Sequence, residues 1–229
     1  MKTFLSTLSS AGIGIFFLAS CSTATSPATS PASKDYQGEP FKDNTFAVAP
    51  QTIPGRVMCA AYDLGGEGIA YHETTEKNHG SGGLNPADGS YLNEFRISEA
   101  VDISYTKEGL DDTPDNLAAP DLGMFYIGWT DPGEWVNYTV DVTETGTYSV
   151  QFFCSAETDG AVSLSVDDED VTGNLPVAST GSPHRWNLLT DFAEVRLEKG
   201  LHILTLHTQE AGKMNYAWFN FTPFIPNRV

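Results

Sequence analysis

The chain has 229 residues, with 30 Asp and Glu against 12 Lys and Arg and a formal net charge of −18. Such acidity argues against nucleic acid and anionic lipid as partners, because both are recognised through clustered Lys and Arg. The 13 Phe, 9 Tyr and 4 Trp supply a sizeable core, and the length suits one domain plus a tail.

Lys2 gives a short positive start, and residues 11–19 read AGIGIFFLA, an apolar run of export-signal length. It is too short to cross a bilayer, which takes about 20 apolar residues as a helix. The run ends in Leu18-Ala19-Ser20-Cys21, which resembles the lipobox of bacterial lipoproteins. That resemblance implies a signal peptide over 1–20, acylation of the Cys21 thiol with chains such as palmitate, and a membrane anchor at the bacterial cell envelope, with the outer membrane expected. Each buried methylene of an acyl chain contributes about 0.8 kcal/mol, so several chains hold durably. Residues 22–34 read STATSPATSPASK, a composition without core-forming side chains. The lipidated Cys and a flexible tether are assigned to 21–50, with 35–50 transitional, and the folded domain to 51–224.

From Thr52 onward short apolar runs are separated by Gly, Pro, Asp and Asn. Period-two alternation marks residues 135–142 (WVNYTVDV), 147–154 (TYSVQFFC), 162–166 (VSLSV), 194–197 (EVRL), 202–207 (HILTLH) and 216–221 (YAWFNF). Turn signals fall between them at 144–146, Asp159-Gly160, Asp167-Asp168 and 198–200. Short alternating strands at this spacing indicate an all-β sandwich or barrel. No stretch beyond the signal sustains a helical apolar stripe. Two irregular stretches, 72–94 and 104–122, are long for loops of a compact domain, and such loops are commonly functional or disordered.

Cys59 and Cys154 lie in apolar runs. Disulfides persist outside the cytoplasm, but two buried free thiols are the expected state. The five His show no zinc spacing with a third ligand nearby. His202 and His207, an odd number of residues apart, face opposite sides of one strand. Gly80 to Gly83 (GSGG) lacks the strand-to-helix setting of a phosphate cradle and reads as a flexible loop. Trp129 and Trp135 flank a turn and read as packing residues.

Residues 53–221 resemble a family-6 carbohydrate-binding module. The resemblance is carried by Ile53 to Arg56 (IPGR), Tyr62-Asp63, Gly65 to His72 (GGEGIAYH), Phe95-Arg96, Val101 to Ile103 and, most strongly, Ile127 to Val140 (IGWTDPGEWVNYTV). Gly146 to Tyr148, Asp170 to Gly173, Lys199 to His202, Asn215 and Trp218-Phe219 follow in order. It implies a jelly-roll β-sandwich of two antiparallel sheets, with a sugar site among the loops at one edge. Aromatic faces there stack on the C–H-rich face of a pyranose, and polar groups fix the hydroxyls.

The matching positions are Glu67 for the hydroxyl-accepting carboxylate, Phe95 for one stacking ring and Asn215 for the amide. The second stacking aromatic falls on Pro183, with His184 beside it, so one wall of the usual aromatic pair is missing. The carboxylates that hold a structural calcium in the family are replaced by Met58 and Ala60, and Ala217 stands where Asp or Asn is frequent. No metal and no cofactor are therefore expected. Nor does the sequence offer a nucleophile elbow, and carboxylate pairs are uninformative in so acidic a chain. The expectation is a non-enzyme that binds a neutral polysaccharide or oligosaccharide and concentrates it for separate glycoside hydrolases. The alternative is a structural or protein-interaction lipoprotein of the same fold that has lost sugar binding. A third reading places a new site on the two long loops.

Overall fold

The computed structural model of the chain describes Met1 and residues 35–226. Cys21, the rest of the expected signal and the tether up to residue 34 lie outside the described residues. The strands, in chain order, are β1 (Gln51–Ile53), β2 (Gly55–Met58), β3 (Tyr71–His72), β4 (Ile103–Tyr105), β5 (Phe125–Ile127), β6 (Trp135–Val142) and β7 (Gly146–Ala156). They continue with β8 (Gly160–Val166), β9 (Glu169–Asp170), β10 (Leu175–Val177), β11 (Ser182–Leu197), β12 (Gly200–Glu210) and β13 (Met214–Pro223).

One sheet runs β1-β6-β12-β8-β10, with β3 added on β6 and β9 on β8; the other runs β11-β7-β13-β5-β4, with β2 on β13. All pairings are antiparallel except β1 with β6. This is the expected all-β sandwich. Alternation fixes which face each strand buries. In β6 the residues Val136, Tyr138, Val140 and Val142 point inward, where Leu204 and Leu206 of β12 and Phe152 and Phe219 of β7 and β13 meet them. The Phe152 and Phe219 rings stack with centroids 4.3 Å apart. Cys59 and Cys154 are buried free thiols.

The next residue along β7, Phe153, faces the other way and joins Tyr126, Trp186, Ala217 and Trp218 in a second apolar cluster on the outer side of that sheet. The segment after β4 covers it: Leu117 and Ala118 donate backbone N–H bonds of 2.9 and 3.0 Å to the Trp186 carbonyl. The irregular stretch 104–122 is thus tied down over Trp186. Residues 35–50 also pack on the sandwich. Phe41 and Phe46 lie against Phe95, with centroids 5.5 and 5.6 Å away, and the Tyr36 hydroxyl donates to Asp63 Oδ2 at 3.0 Å. The packed unit therefore begins before residue 51, because two Phe side chains in the transitional stretch have core to bury.

Candidate functional site

Strands β5 and β13 are neighbours, and β11 starts close to the start of β13 across β7. This brings Tyr126, Asn215 and Pro183-His184 to one edge of the sandwich around a cavity of about 210 Å³. Leu84, Trp129 and the Glu157–Lys213 pair complete its lining. Asn215 is anchored: its Nδ2 donates to the Pro183 carbonyl at 2.6 Å. Gly128 makes room for it, since a Cβ there would lie 2.6 Å from Asn215 Oδ1.

His184 is oriented from behind. Its Nδ1 lies 2.9 Å from Asp111 Oδ1, which also accepts from Trp186 Nε1 at 3.0 Å, while Lys107 N donates to Asp111 Oδ2 at 2.8 Å. Burial pushes the Asp111 carboxyl up, but the hydrogen bonds from His184, Trp186 and the Lys107 backbone outweigh it and hold the group below its usual range. An ionised Asp111 has no proton to give, so His184 Nδ1 carries the shared proton and Nε2 is the nitrogen left for a ligand. Tyr126 packs edge-on against Trp186, centroids 5.3 Å apart, and burial pushes its hydroxyl pKa up to about 12. Apolar rings, an anchored amide and an oriented imidazole in a ring-sized recess can hold a small polar molecule that has one apolar face.

Of the residues singled out from sequence, the structure brings His184 and Asn215 together here and places the other two elsewhere. The reading of Phe95 as an exposed stacking ring is corrected: it is 3 % exposed and stacks on Phe125 at 4.1 Å, under Phe41 and Phe46. It anchors a loop in the core and has no free face. Glu67 is solvent-exposed beside β3, where Oε1 meets His72 Nδ1 at 2.6 Å and Oε2 accepts from Glu73 N at 3.0 Å. Glu67 is absent from the cavity lining. Sequence reasoning missed Tyr126 and Trp129. The available signal was the placement of Trp129 in a Gly-Trp-Thr-Asp-Pro-Gly turn, where a large ring has no strand face to bury.

A second, shallower recess of about 410 Å³ lies on the outward face of the other sheet. The register sets Asn137, Thr205 and Ser165 in one row across β6, β12 and β8, and Trp135, His207 and Ser163 in the next. The side chains bond to each other: Thr205 Oγ1 to Asn137 Oδ1 at 2.7 Å, Ser165 Oγ to His207 Nε2 at 2.6 Å and Gln209 Nε2 to Ser163 Oγ at 2.8 Å. Burial lowers the His207 pKa, which favours the neutral ring. Among the described residues, no group of three or more His, Cys, Asp or Glu is placed to hold a metal.

Residues 104–223 match the sequence model of the family described as carbohydrate binding module (family 6). A comparison with curated proteins finds no match. Among solved structures, the chain is similar to CsCBM6-3 from Clostridium stercorarium, solved with cellobiose, at 16 % identity and TM-score 0.48, covering 76 % of this chain and 97 % of that one. It is also similar to a β-1,3-glucan binding CBM6 from Bacillus halodurans, at 17 % identity and TM-score 0.46, over 75 % and 97 % of the two chains. A third similar structure is the module CBM6cm-2 of Cellvibrio mixtus lichenase 5A with cellotriose, at 17 % identity and TM-score 0.41, over 55 % and 88 %. Because the family model spans more than half of the 229 residues, from β4 to the end of β13, this chain belongs to family 6 of the carbohydrate-binding modules.

Proposed function

We propose that the protein is a non-catalytic cell-envelope lipoprotein whose module binds a neutral polysaccharide at the loop-edge cavity. The observation that supports this most is the convergence of Tyr126, His184 and the anchored Asn215 on one ring-sized recess. A neutral ligand suits the chain, because a net charge of −18 repels acidic glycans at long range. The anchor rests on the resemblance of Leu18 to Cys21 to a lipobox, and it would hold captured glycan at the membrane for separate glycoside hydrolases. Cells fed radiolabelled fatty acid should label the wild-type protein and leave Cys21→Ala unlabelled; label in the variant would refute the anchor.

A second reading places the ligand in the recess on the outward face of the β6-β12-β8 sheet, and the partly exposed Trp135 beside a row of polar side chains favours it. Calorimetry against mixed-linkage β-glucan, xylan, mannan and agar separates the two. Asn215→Ala removes a hydrogen-bonding amide and should weaken binding by about 1–3 kcal/mol if the loop edge is the site. Unchanged affinity would move binding to the sheet face. No binding by the wild type to any glycan would leave the interaction-protein reading.

A further inference from the structure

The turn between β5 and β6 carries a large, partly exposed side chain. Trp129 is 41 % exposed, and its backbone has φ of +51°. That left-handed region is open to glycine and seldom used by a bulky residue. The turn around Trp129 is nonetheless fixed on both sides. Gly128 N donates to the Asp102 carbonyl at 2.9 Å, Thr130 Oγ1 donates to the Met214 carbonyl at 3.2 Å, and Gly133 N donates to the Thr208 carbonyl at 2.9 Å. The other three tryptophans have aromatic neighbours: Trp135 has His72, and Trp186 and Trp218 stack on Phe153 at 5.4 and 5.0 Å. Trp129 has no such partner among the described residues. Its ring lines the cavity with Pro183, His184 and Asn215.

A large ring held partly exposed on a left-handed backbone, without an aromatic partner, points to a role in what it presents outward. We propose that Trp129 is the stacking platform of the loop-edge cavity and takes the apolar C–H face of one pyranose ring, while Asn215 and His184 meet its hydroxyls. The platform supplies the wall that Pro183 does not, from a turn distant in sequence. The nearby charges Glu157 and Lys213 pair with each other at 2.8 Å, which leaves the recess suited to an uncharged ring. This inference rests on the loop-edge reading of the function.

The test pairs stability with binding in the mature full-length protein. Trp129→Gly removes the ring and suits the left-handed backbone. It should melt at the same temperature as the wild type or higher, while its affinity for mixed-linkage β-glucan, xylan or mannan, whichever the wild type binds, falls at least tenfold. Trp129→Ala should show the same loss of affinity. A clear drop in melting temperature for the Gly variant would make Trp129 a structural residue and overturn the proposal. Unchanged affinity in both variants would overturn it as well, and the loop-edge reading would still stand if Asn215→Ala weakens binding. If the wild type binds none of these glycans, the reading of the function fails and the platform fails with it.

Discussion

At the scale of single residues, Glu73 and Glu134 bring two carboxyl groups to one backbone N–H: Thr74 N lies 3.1 Å from Glu73 Oε1 and 3.3 Å from Glu134 Oε1. Burial first, and then Glu134, push the Glu73 pKa well above its ordinary 4.5. The folded protein then holds a proton at neutral pH that the unfolded chain has lost. This contribution to stability is fully present below pH 4.5 and is lost as pH rises toward the folded pKa. Glu73→Gln keeps the neutral shape and cannot ionise, so the variant should melt a few degrees above the wild type at pH 8 and show a flatter decline of stability above pH 4.5. An equally steep decline in the variant would contradict this. The position of His184 and Asn215 at one edge of the sandwich followed from the order of motifs in the sequence. Phe95 was misread because its burial depends on Phe41 and Phe46, more than forty residues upstream and outside any recognisable pattern. Glu67 stands away from the loop-edge cavity because His72, five residues on, holds its carboxylate beside β3.

At the scale of elements, the sequence pattern was strongest in the longer strands β6, β7, β12 and β13, which carry enough positions to show a period. The span 135–142 coincides with β6, and the shorter runs at 147–154, 202–207 and 216–221 lie inside β7, β12 and β13. β11 was seen only at its end, 194–197. Its register against β7 shifts between Ser182 and Asn187 and again between Leu189 and Ala193, and each shift breaks the period of two. Strands of two to four residues, such as β3, β4 and β5, carry too few positions to show a period. The long stretches 72–94 and 104–122 read as loops because their order comes from polar and backbone ties. Asn78 Oδ1 accepts from Gly80 N, Ser81 N and Ile103 N at 2.9, 2.8 and 3.2 Å. Gly80 lies so close to Ile103 that a Cβ would meet its carbonyl oxygen at 1.8 Å. The same device recurs at the site, where Gly128 admits the Asn215 side chain.

At the scale of the whole molecule, the sandwich offers two recesses made by different physics. The sheet-face recess has Trp135 among side chains that already bond to one another, so a ligand there must displace internal hydrogen bonds. The loop-edge cavity has an exposed ring without a partner and a His whose second nitrogen is uncommitted, so a ligand there gains contacts that the free protein lacks. That difference favours the loop edge for the proposed glycan site. The assignment is tested most directly by following backbone amide signals of the isotopically labelled protein while a neutral oligosaccharide is added. Shifts are expected at residues 126–130, at His184 and at 213–215, with the 163–170 and 205–209 strands unmoved. Shifts confined to those strands, or no shifts with any neutral glycan, would contradict it.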